Sequence, residues 1–173
     1  MDGEVARLEG VLAQRDTWTA AQCSIDRAMR AIGNRSTLLL LREAFYGARR
    51  FDEFARRVGI TEAVAAARLR ELVDIGVFER QPYQEPGQRT RHEYVLTKTG
   101  RDLLPVAMAL MQWGDQHLPH PSGPPVVLRH NACGEIADPR LTCAHCGEEI
   151  TAHNVAPEAG PGFRTESGAE EPA

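Results

Sequence analysis

Apolar residues recur at helical spacing through the first half of the chain, and the period then changes. Between residues 3 and 15, Val5, Leu8, Val11 and Leu12 share one face, which predicts a short amphipathic helix. From Cys23 to Ile32 the apolar positions are Ile25, Ala28, Met29 and Ile32; Ser24 is the expected N-cap and Gly33-Asn34 the expected stop. Ser36 is then expected to cap TLLLLREAFYG, in which Leu38, Leu39, Leu41 and Phe45 leave Arg42 and Glu43 for the wetter side. A helix apolar around so much of its circumference belongs at the centre of a domain.

Residues 48–51 read as a brief extended segment suited to pairing with later strands. Asp52 is the expected cap of a two-turn helix, FARRV. Val58-Gly59-Ile60-Thr61 is a tight turn in which Gly59 permits the bend and Thr61 caps the next helix. That helix runs to Ile75, with Ala65, Leu69, Leu72 and Val73 inward, Glu62, Ala63, Ala66, Ala67 and Arg70 outward, and Gly76 as terminator. After it the period drops to two. Residues 77–80 and 92–96 alternate as strands do, around a polar loop, QPYQEPGQRTR, that reads as a hairpin wing. Thr97 is expected to cap one last helix, bent at Pro105, whose Leu103, Leu104, Ala107, Leu110, Met111 and Trp113 exceed what one small domain covers.

This order predicts a mainly α fold with a small β wing, a winged helix-turn-helix over residues 21–118. A dimerisation arm (1–20) precedes it. A stiff linker (119–125), a small zinc-ribbon-like β-hairpin module (126–155) and a disordered tail (156–173) complete the chain. No apolar run approaches the roughly 18 residues that span a bilayer, and the start of the chain is acidic rather than basic, so a cytoplasmic protein is expected.

Charge sharpens the picture. The net charge of −4 divides into −3 over residues 1–26, +6 over 27–101 and −7 over 102–173. The positive segment is the one patterned as a winged helix, and Lys98 is its only lysine. Arginine grips phosphate oxygens bidentately, so double-stranded DNA is the expected partner.

The phrases CSIDRAMRAIGNRSTLLLLREAFYGARRFDEF, GITEAVAAARLRELVDIGVFERQPY and EYVLTKTGRDLLPVAMALMQWG, in that order and spacing, resemble the HxlR family of bacterial transcriptional regulators, relatives of the MarR group. The resemblance runs from Cys23 to Gly114. It implies a homodimer joined through N- and C-terminal helices and bound to a partly palindromic operator. Two recognition helices would then enter successive major grooves, with each wing on the backbone or minor groove. Ser36, Arg56, Arg57, Thr61, Arg68, Arg70, Arg89 and Arg91 are the candidate DNA contacts; for Arg68 an ion pair to a neighbouring helix competes. AVAAAR offers bases few hydrogen-bond donors, so shape and thymine-methyl contacts should carry more of the readout.

A small-molecule effector pocket lined by Trp18, Met29, Met108 and Trp113 is a further expectation, against a plain dimer core. The competing function is a zinc-containing protein-interaction module without sequence-specific DNA binding. An enzyme is not expected, because no nucleophile pairs with a histidine and no phosphate-binding glycine loop or paired carboxylates occur.

The cysteines fall in two groups. Cys23 opens a helix, and the resemblance implies a redox-sensing thiol there; the alternative is a small buried residue at a dimer interface. The late group, His130-x2-Cys133-x9-Cys143-x2-Cys146, matches a closed tetrahedral structural zinc (Zn2+) site, with Gly134 and Gly147 turning the backbone so that N–H groups face sulfur. His145 and His153 compete with His130 for the fourth place.

Overall fold

The computed structural model describes residues 8–19 and 23–165. They divide into two compact units. One comprises residues 28–137, the other the flanking segments up to Arg27 and from Asp138. The division falls in the late module rather than at the linker 119–125, so the first half of that module belongs to the winged-helix unit.

Among the described residues, six α-helices and one hairpin make up the fold: α1 Ser24–Ile32, α2 Arg35–Phe45, α3 Phe51–Val58, α4 Glu62–Asp74, β1 Phe78–Tyr83, β2 Arg91–Leu96, α5 Lys98–Arg101 and α6 Leu104–His117. The strands pair antiparallel, from Phe78 opposite Leu96 to Tyr83 opposite Arg91. The observed fold is thus mainly helical with a two-stranded wing. Among the described residues no helix is long and apolar enough to cross a membrane.

The core is built from α2, α3, α4 and the root of the wing. Leu40, Leu41, Phe54, Leu69, Leu72 and Phe78 are its largest fully buried side chains. Phe54, Phe78 and Tyr94 meet edge to face with ring centroids 5.8 to 6.3 Å apart, fixing the wing's base against α3. Gly59 turns the chain between α3 and α4 at φ 71°, and Thr61 caps α4 by accepting the Val64 N–H at 3.3 Å. Gly76 ends that helix at φ 72°.

Several local expectations are corrected. The amphipathic helix read over residues 3–15 lies partly outside the described residues; within them the chain forms two 3-10 turns, Gly10–Ala13 and Arg15–Thr17. Ser24 and Ser36 lie inside their helices rather than capping them. Asn34 caps α2, its side chain accepting the Ser36 N–H at 2.9 Å, because an Asx side chain reaches the second residue on while the backbone stays extended. Gly33 and Asn34 need no left-handed backbone, since α2 begins at once.

Asp52 does not cap α3. Glu53 reaches back instead, accepting the backbone N–H groups of Arg49 and Arg50 at 3.2 Å each. Those N–H bonds hold its carboxyl below the usual carboxylate range. Phe51 is already helical, and the backbone bond to the wing comes from Arg49, whose carbonyl accepts the Tyr94 N–H at 2.8 Å. Glu43, expected on the wet side, is buried and ion-paired with Arg42.

The expected single last helix is two. Thr97 caps α5 as anticipated, accepting from Gly100 N–H, and its hydroxyl donates to the Gly76 carbonyl at 2.6 Å. Gly100 packs so closely that an added Cβ would lie 2.3 Å from the Val77 carbonyl oxygen. Pro105 sits in the first turn of α6, where its missing N–H has no helical partner to lose, so it starts a helix rather than bending one.

In the second unit, Trp18 lies under the Arg15 guanidinium, 3.6 Å from its centroid, and edge-on to Phe163 at 5.6 Å. Nothing in the composition after Pro157 signals that contact.

Candidate nucleic-acid interface

α4 is the second helix of the helix-turn-helix. Ala65, Leu69 and Leu72 bury one side, while Glu62, Ala63, Val64, Arg70, Glu71 and Asp74 face solvent. Ala66 and Ala67, expected outside, are half-buried. Val64 is 40% exposed near the helix start, a position not anticipated from the pattern. Small and apolar side chains there let the helix approach a groove closely and suit contact with thymine methyls.

The eight expected DNA contacts separate by what already holds them. Arg56 lies 3.8 Å from Asp52, Arg57 bonds Glu53 at 2.9 Å and Arg68 bonds Glu71 at 2.6 Å, each on its own helix. The partner competing for Arg68 is therefore within α4 rather than on a neighbouring helix. Arg70, Arg89 and Arg91 are exposed and have no ion-pair partner among the described residues. Thr61 is exposed at the α4 N-terminus, and Ser36 is half-buried in the first turn of α2. Arg80, on β1 opposite Tyr94, is a further exposed arginine of the wing that the motif did not single out.

The wing is tied down at its base. Arg50 pairs with Glu85 at 2.7 Å and lies 4.9 Å over the Tyr83 ring; the Glu85 hydrogen bond and charge raise its already high pKa. Arg49 adds a 3.4 Å pair to Glu93. These contacts join residues more than thirty positions apart, so no local pattern announces them. They leave the wing tip, with Gly87 at φ 78°, free to present Arg89.

Beside the interface, unit 28–137 holds an apolar groove of about 1000 Å³. Leu38, Leu39 and Phe45 of α2 and Leu103, Ala107 and Met111 line it, as do residues 128–132 of the late module. Of the four side chains expected to line a pocket, Met108 does; Met29 and Trp113 are instead 54% and 55% exposed, and Trp18 belongs to the other unit.

Cys23 is half-buried, and its carbonyl accepts the Arg27 N–H at 3.1 Å as α1 begins. The late donors occur as two pairs: Cys133 Sγ lies 3.4 Å from His130 Nδ1, and Cys143 sulfur accepts from the Cys146 and His145 N–H groups and from the Cys146 thiol, which pulls its pKa down. All four cysteines are free, and among the described residues no three His, Cys, Asp or Glu side chains are gathered closely enough to hold a metal.

A helix-turn-helix carrying a basic wing defines the class: a DNA-binding transcriptional regulator. Residues 31–122 match the HxlR-like helix-turn-helix family, and the chain belongs to it. It is 57% identical over 141 residues to the uncharacterized HTH-type transcriptional regulators Rv3095 of Mycobacterium tuberculosis and Mb3122 of Mycobacterium bovis, covering 82% of this chain and 88% of theirs. The crystal structure of PA1607, described as a candidate transcription factor, superposes with a TM-score of 0.71 at 31% identity, covering 81% of this chain and 96% of that one. PA1374 of Pseudomonas aeruginosa, likewise described, gives 0.56 at 33% identity over 82% and 95%.

Proposed function

We propose that the chain acts as a homodimer on a partly palindromic operator, α4 of each protomer in a major groove and each wing on the flanking backbone or minor groove. The observation that carries this is the pairing of an exposed, small-residue α4 with arginines that have no acidic partner among the described residues: Arg70 on the helix, Arg89 and Arg91 at the wing. Affinity comes chiefly from phosphate contact. Selectivity comes from Ala63 and Val64 against thymine methyls and from DNA shape. Ser36, Thr61, Arg56, Arg57 and Arg68 complete the proposed contact set, the arginines exchanging weak same-helix ion pairs, worth ~0.3–0.5 kcal/mol, for phosphate.

Apolar side chains left exposed on α1 and α6 support the dimer: Ile25 at 73%, Leu110 at 51% and Trp113 at 55%. A monomer rarely leaves so much apolar helix in water. The groove beside α2 is the proposed effector pocket; its volume is that of a small-molecule site. Oxidation of Cys23 is proposed as a second control. Protein recognition without DNA binding has no specific observation in its favour.

Footprinting of the purified protein on its own genome tests the central claim. Protected sites with two-fold symmetric half-sites one helical turn apart are expected. Binding to non-symmetric sites by a monomer would sink it. For Cys23, diamide should release wild-type protein from its operator and leave Cys23→Ser bound; equal responses remove the thiol from the mechanism.

A further inference from the structure

The groove beside α2 has a one-sided charge that its volume alone does not reveal. Its walls are apolar: Leu38, Leu39 and Phe45 come from α2, and Ala107, Met108 and Met111 from α6. The charged side chains lining it are Arg35, Arg42 and Arg129, and no aspartate or glutamate stands among its described lining residues. All of these residues belong to the unit of residues 28–137.

The three arginines are not equally engaged. Arg42 is held by Glu43, with its Nε 3.0 Å from Oε1, so its charge is already balanced. Arg129 donates one guanidinium N–H to the Gly134 carbonyl at 2.9 Å and has no acidic partner among the described residues. Arg35, exposed in the first turn of α2, makes neither a side-chain hydrogen bond nor an ion pair among the described residues. Arg129 also lies beyond residues 31–122, so part of this rim is added by the segment that follows the family domain.

An unpaired guanidinium at the edge of an apolar surface costs little while water reaches it. An apolar body that fills the groove removes that water, and an opposite charge must then replace it. A neutral occupant supplies no such replacement, and a cation meets like charge. Length narrows the choice further. The lining stretch of α2 runs from Arg35 to Tyr46, eleven residues at roughly 1.5 Å each, or about 16 Å. A trough of that length, walled by leucines and adaptable methionines, suits an extended hydrocarbon chain.

We infer that the groove takes an elongated, apolar monocarboxylate, its hydrocarbon body along α2 and its carboxylate on the Arg35 guanidinium. This rests on the reading of the groove as an effector pocket and adds the chemical class of the effector. A planar carboxylate matches the guanidinium fork with two parallel N–H···O bonds, which gives the ligand one orientation.

Isothermal titration calorimetry of the full-length protein tests the class with three ten-carbon probes: decanoate, decanol and decyltrimethylammonium, each below its micelle concentration. Decanoate should bind at least about tenfold more tightly than decanol, the difference made by one hydrogen bond to a charged group, with decyltrimethylammonium weakest. Arg35→Gln should bring decanoate down to the affinity of decanol and leave decanol unchanged. Arg129→Gln should keep the preference. Ala107→Phe, which fills the trough from α6, should abolish decanoate binding while circular dichroism stays helical. Equal affinity for the acid and the alcohol in wild type would overturn the anionic class and leave the pocket standing. A preference lost in Arg129→Gln but kept in Arg35→Gln would overturn the assignment of Arg35. Binding of no probe, or decanoate binding unchanged in Ala107→Phe, would remove the effector pocket itself; in the first case, sedimentation as a dimer would give the groove to the second copy.

Discussion

At the scale of single residues, the arginines divide by their partners rather than by their number. Among the described residues Arg89 and Arg91 carry no ion pair, so each phosphate contact proposed for them would release a counterion at no internal cost. Arg89→Ala should weaken binding to all DNA alike and lower the slope of log K against log salt by about 0.9. An unchanged slope in a gel-shift titration would take Arg89 off the phosphate list. Arg57 is already paired with Glu53, and its removal should change affinity less.

Glu53 gives a pH-dependent counterpart. Its carboxyl is held low by the Arg50 and Arg49 N–H groups, so the stability it adds is present above the unfolded carboxylate value and is lost as pH falls through its lower folded value. Glu53→Gln should therefore melt below wild type at pH 7, and the gap should close as pH drops below about 4.3. A gap that stays constant down to about pH 3, well below the unfolded carboxylate value, would show that the α3 cap does not depend on the charge.

At the scale of elements, the wing is as much a part of the core as the helices are. Phe54, Phe78 and Tyr94 weld α3, β1 and β2 together, so Phe54→Ala should cost about 3–5 kcal/mol in denaturant unfolding and lower operator affinity with it. A loss under about 1 kcal/mol, well short of a buried aromatic's usual cost, would mean that the aromatic trio is not the joint. The elements themselves are largely legible in the sequence: the turn at Gly59, the Thr61 and Thr97 caps and the hairpin all come from local chemistry. Local competition is harder to read. Asn34 outcompetes Ser36, Glu53 outcompetes Asp52, and Pro105 is tolerated without a bend because it falls in the first turn of α6.

At the scale of the molecule, the proposed dimer rests on the exposed apolar faces of α1 and α6. Leu110→Glu with Trp113→Glu should shift the protein to monomer in sedimentation velocity and cut operator affinity at least tenfold, while its circular dichroism stays helical. A dimer that persists would place the interface elsewhere.

The sequence by itself determined the class of fold, the basic segment and the turns of the wing, because helix period, turn glycines and charge are written over a few residues. Only the tertiary structure decided which arginines are free, that the wing is fastened by Arg50 to Glu85, and that residues 128–132 share a groove with α2. Those facts depend on residues far apart in sequence meeting in space. No single stretch of chain carries that information, however plainly each announces its own helix or strand.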